Sequence, residues 1–70
     1  MEYLRVVIPD RSNQDVDVLI NREMNGKVGE VLTLGKGIVL VSVDLPNAEE
    51  KQVDLCGTTP NYPKVTEIRA

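Results

Sequence analysis

Asn25 to Val43, NGKVGEVLTLGKGIVLVSV, is the stretch whose reading decides the fold class. Val28, Leu32 and Leu34 share one parity, with Glu30 the polar exception, as in a strand with one buried face. Gly35, Lys36 and Gly37 follow. Two glycines this close tolerate the positive φ of a tight reversal, so the run is expected to be a β-hairpin. From Ile38 to Val43 the chain is apolar on both parities except at Ser42. Such a strand is buried on two sides, or covered on one side by a partner molecule.

Working outward, Glu2 to Ile8 alternates, with Leu4, Val6 and Ile8 on one face and Tyr3 and Arg5 on the other, and Pro9 ends it. Asp10 to Asp15 is a polar run of turn formers. Residues 12–26 fit two templates. As a helix, Ser12 is the N-cap with Asp15 at the third position, Val16, Leu19, Ile20 and Met24 line one side, and Asn25-Gly26 is the stop. As a strand, Val16, Val18 and Ile20 alternate with Asp17, Leu19 and Asn21, and Asn25-Gly26 belongs to a loop or hairpin. The β-branched content favours the strand. Past Val43, Asp44 to Lys51 reads as an excursion with room for one helical turn after Pro46. Gln52 to Leu55 reads as a short strand, and Cys56 to Pro63 as a loop. Lys64 to Arg69 is a last strand in which Val65 and Ile68 differ in parity, which predicts a bulge or a fraying end.

Composition excludes several functions. Seventy residues allow a single domain, 1–70, with no Phe or Trp, so the core must come from Val, Ile and Leu. Eleven acidic groups against eight basic ones give a net charge of -3, which argues against a binder that relies on a broad cationic face. With no His and one cysteine, Cys56, there is no disulfide within the chain, no zinc or copper ligand set and no Ser-His-Asp triad. Cys56 is expected to be a small buried or half-buried residue. The carboxylate pairs Asp15-Asp17 and Glu49-Glu50 come without a surrounding pocket, and Thr58 and Thr59 read as loop hydroxyls bonded to their own backbone. No signal peptide or membrane span is expected, which makes a cytoplasmic location the default.

Val16 to Leu45, VDVLINREMNGKVGEVLTLGKGIVLVSVDL, resembles the SH3-like barrels, in which a strand leads through an Arg-x-Glu loop to Gly-x-x-Gly-x-Val and then to a strand of alternating valines. Arg22, Glu23, Gly26, Gly29, Val31, Val39, Val41 and Val43 carry the likeness, which extends to KOW-type modules of transcription and translation factors and to small electron-transport accessory subunits. The expected fold is therefore all-β, an SH3-like partial barrel of five to six short, mostly antiparallel strands. The alternative is α+β, with one helix at 12–24 packed on a four- to five-stranded sheet. The expected function is a non-catalytic protein-binding or regulatory module with no cofactor and no metal. It would dock on a partner protein through a valine-rich strand face or a sheet edge. Val39, Val41 and Val43 are the candidate contact face, with Arg22, Glu23 and Lys36 setting partner choice. A size this small also suits a phage or mobile-element protein acting on a host enzyme. Two alternatives remain: a KOW-like nucleic-acid module contacting RNA through Arg22, Lys27 and Lys36, and a structural subunit of a symmetric, self-associating oligomer.

Overall fold

The computed structural model describes residues 1–9 and 15–70. Among these there are seven strands and no helix: β1 (Glu2–Val7), β2 (Asp17–Ile20), β3 (Glu23–Lys27), β4 (Val31–Leu34), β5 (Gly37–Val43), β6 (Lys51–Leu55) and β7 (Lys64–Glu67). They form two sheets, of order β4-β1-β7 and β3-β2-β5-β6. The domain is all-β. Every pairing is antiparallel except that of β1 with β7, which is parallel.

Alternation on the strands builds the core between the sheets. Leu4 and Val6 of β1, Val18 and Ile20 of β2, Val41 and Val43 of β5, and Val53 and Leu55 of β6 are all buried, and Ile68, just past β7, is fully so. Each such side chain stabilises by roughly 1.5–3 kcal/mol when buried. The largest fully buried ones are Leu4, Leu55 and Ile68.

Residues 17–27 form a hairpin, where one template had a helix through Met24; its proposed N-cap, Ser12, lies outside the described residues. Ile20 pairs with Glu23, and the two residues between them, Asn21 and Arg22, have φ of 51° and 68°. Positive φ at both positions is the type I′ geometry that matches strand twist. Asn suits the first position for a further reason. Its N–H donates to Leu40 O at 2.8 Å, and Leu40 N–H donates to Asn21 Oδ1 at 3.0 Å. The side chain thus takes the ladder role that the turned backbone carbonyl gives up. Asn25-Gly26 lies inside β3, not in a loop. Asp17 pairs with Lys27 and Leu19 with Met24, so β3 carries one extra residue at a bulge, with Gly26 at φ 78°.

Several expectations are corrected. Gly35-Lys36-Gly37 does not close a hairpin: β4 pairs with β1, and β5 with β2 and β6, so the glycines turn the chain from one sheet to the other. The tight Asn21-Arg22 turn creates β3, which brings the strand count to seven. Residues 44–50 contain no helical turn; Ala48 N donates to Leu45 O at 3.3 Å and Asn47 adopts φ 64°. The parity conflict near the C-terminus is resolved without a bulge, because Thr66 and Ile68 face inward and Val65 is left 54% exposed. Cys56 is exposed.

Candidate functional site

The residues named from sequence as a docking face are redistributed by the fold. Val41 and Val43 are core residues and Val39 is half-buried against them, so the valine face is covered by the protein's own second sheet. The apolar residue that β5 does expose is Ile38. Arg22 pairs with Glu50 at 3.3 Å, and Lys27 with Asp17 at 2.8 Å. The Asp17 hydrogen bond raises the Lys27 ammonium above its ordinary value of 10.5. Glu23 and Lys36 are both exposed, and no hydrogen bond or ion pair joins either to Arg22.

The seam between β6 and β7 is where the fold leaves strand edges unpaired beside a cleft. Leu40 directs its polar backbone groups to β2 through Asn21, so Val39 and Val41 direct theirs to β6, where Val53 and Lys51 answer them. Alternation leaves the N–H and C=O of Gln52 and Asp54 on the outer edge of β6. On β7, Ile68 N–H donates to Val7 O at 2.9 Å. Thr66 therefore faces β1, and Val65 and Glu67 turn their backbone groups outward.

The seam is closed at one end only. Glu49 N–H donates to Arg69 O at 2.9 Å, and Arg69 N–H donates to Glu49 Oε1 at 2.8 Å. The Lys51 ammonium then reaches Glu67 O at 2.7 Å, with Glu49 Oε1 3.6 Å away. Beyond that latch no ladder joins the strands, and a cleft of about 330 Å³ opens between Lys51–Asp54 and Lys64–Glu67.

Two further features belong to the cleft. Thr66, on its wall, is 6% exposed, and its Oγ1 has no hydrogen-bond partner among the described residues. The lining is charge-balanced, with Lys51 and Lys64 against Asp54 and Glu67. The loop that spans the open end is tied to β1. Thr58 Oγ1 donates to Glu2 Oε1 at 2.6 Å and accepts from Tyr3 N–H at 2.7 Å, while Thr58 N–H donates to the same carboxylate at 2.9 Å. These bonds, the hydroxyl's first, hold the Glu2 carboxyl below its ordinary value of 4.5.

Sequence reasoning placed none of Gln52, Asp54, Val65 and Thr66 at a candidate site. The signal in reach was the off-parity Val65, an apolar residue with no inward slot. Among the described residues no group of three or more His, Cys, Asp or Glu stands where it would hold a metal ion, and no helix is long and apolar enough to cross a membrane. Compared with known proteins, the chain matches no family model, no curated protein and no solved structure.

Proposed function

We propose that this chain is a non-catalytic protein-binding module, one that docks on a partner protein through the sheet edges at the β6/β7 seam. The observation that carries the reading is the pair of edges that no strand covers, Gln52 and Asp54 on one wall and Val65 and Glu67 on the other, framing a cleft of about 330 Å³; of these groups Glu67 O alone is engaged, by Lys51 Nζ. Exposed strand edges are templates for strand addition, in which main-chain hydrogen bonds supply the affinity. The other edges are less suited. β3 is broken by the Gly26 bulge, and β4 has no cleft beside it among those described.

The charge-balanced lining favours recognition of a neutral peptide main chain over a polyanion, and Arg22 and Lys27 each already hold a carboxylate. The test is selection of a displayed library of unstructured random peptides on the immobilised chain, followed by amide hydrogen exchange of the chain with an enriched peptide. Slowed exchange at Gln52, Asp54, Val65 and Glu67 is the expected result. Failure to enrich any peptide, or protection confined to β3 or β4, refutes the reading.

A further inference from the structure

We infer that Lys51 is an autoinhibitory latch on the β7 edge, which the docking segment of a partner protein displaces as it takes up Glu67 O. This rests on the docking reading above and adds its regulation, since an edge open at all times would satisfy that reading equally well.

The engaged groups of the two edges carry the inference. β7 turns the backbone of Val65 and Glu67 away from β1, and the protein's own chain already occupies this edge from its C-terminal side. Glu49 N–H donates to Arg69 O, and Glu49 Oε1 accepts from Arg69 N–H. Further in, Lys51 Nζ donates to Glu67 O at 2.7 Å. Lys51 belongs to β6 and its backbone pairs with Val41 of β5, so its side chain crosses the cleft to reach the opposite wall. Past that bond no strand covers Gln52 and Asp54 on β6 or Val65 on β7. The lysine therefore stands where the closed end of the seam gives way to the open one.

The bond is suited to displacement. The Lys51 side chain is 43% exposed, so a released ammonium returns to water and is rehydrated, while Glu67 O passes to an incoming main-chain N–H. Glu49 Oε1 lies 3.6 Å from the ammonium and also accepts from Arg69 N–H, so the Glu49–Arg69 contact persists when the lysine leaves. Lysine on an exposed strand edge blunts that edge toward other chains. Here it does so by occupying an acceptor that an added strand needs, and it holds the affinity for the segment below what the bare edge would give.

The experiment titrates a peptide enriched on the unaltered chain from the random library against that chain, Lys51→Met, Lys51→Arg and Lys64→Met. Lys51→Met keeps the stem and deletes the donor, so it should bind about two- to tenfold more tightly, as for removal of one competing net hydrogen bond. Lys51→Arg retains a donor and should bind like the unaltered chain, as should Lys64→Met, which removes a cleft cation outside the latch. Unchanged or weaker binding by Lys51→Met, or equal tightening by Lys64→Met, overturns the inference and leaves docking standing. Lysine acylation of the unaltered chain by acetic anhydride, read by mass spectrometry, tests the same point without a variant. Peptide binding should raise the rate at Lys51 by about twofold or more, and a rate unchanged or lowered overturns the latch. A library that enriches no peptide removes the docking reading itself, and the latch with it.

Discussion

Replacing Gly26 with alanine tests the packing at the β3 bulge most sharply. Gly26 has φ 78°, and a Cβ there would overlap Leu32 Cδ2. A left-handed conformation costs an L-residue about 1–2 kcal/mol, and the stiffer unfolded chain offsets about 0.4–1 of that. Leu32 is 5% exposed inside the core, so it has little room to retreat, and overpacking adds about 1–3 kcal/mol. The expected loss is about 3 kcal/mol, a large share of the stability of so small a domain. With no Trp in the chain, urea unfolding is followed by far-ultraviolet circular dichroism. A slope near ~1 kcal/mol per molar puts the midpoint shift at about 3 M. Leu32→Ala separates the two contributions. It costs about 2–5 kcal/mol in the wild type but removes the overlap in the Gly26→Ala background, so the double-mutant cycle should show about 1–2 kcal/mol of coupling. A Gly26→Ala variant within about 0.5 kcal/mol of wild type, or an additive cycle, would refute the reasoning.

Three other outcomes follow from the same geometry. Arg22→Gly is expected to raise the thermal midpoint by about 2–4 °C, because relief of the φ 68° strain outweighs the added chain entropy and an exposed ion pair with Glu50, whereas Arg22→Val should lower it; equal shifts for both would contradict a type I′ turn. Glu2, whose carboxyl is held below 4.5 by Thr58, contributes stability that is present above pH 4.5 and is lost as pH falls through its lower folded value; urea midpoints of wild type and Glu2→Gln should therefore converge in acid, and a constant gap would argue against the Thr58 bonds. Thr66→Val keeps the shape and deletes an unpartnered buried hydroxyl, so it should stabilise the free chain by about 1 kcal/mol in urea unfolding, while a loss would show that the hydroxyl is satisfied.

How legible this was in the sequence depends on how local each signal is. The strands over Glu2–Val7 and Lys51–Leu55 follow from period-two alternation, a property of neighbouring residues. The Asn21-Arg22 turn was missed because Asn25-Gly26 is the stronger turn signal in composition, yet only the pairing with β2 decides that it serves a bulge. Gly35-Gly37 read as a hairpin turn, but whether such a run closes a hairpin or carries the chain to another sheet is set by what β1 offers β4, which lies far off in sequence. Val41 and Val43 could not be assigned to core or surface from a run that is apolar on both parities. The seam was invisible for the same reason. Its phase is set twice, by β5 acting on β6 and by β1 acting on β7.

That double setting also fixes which residues each strand turns to the core. A slip of either β6 or β7 by a single residue would reverse every side chain on that strand. For β7 it would turn Ile68, fully buried, toward solvent, and bring Val65 inward in its place; for β6 it would expel Val53 and Leu55. Either change removes burial worth several kcal/mol, against a net gain of about 0.5–1.5 kcal/mol for each ladder hydrogen bond formed. The core therefore outweighs the edge. A strand added from outside to either edge takes that edge as it stands and leaves the core residues where they are.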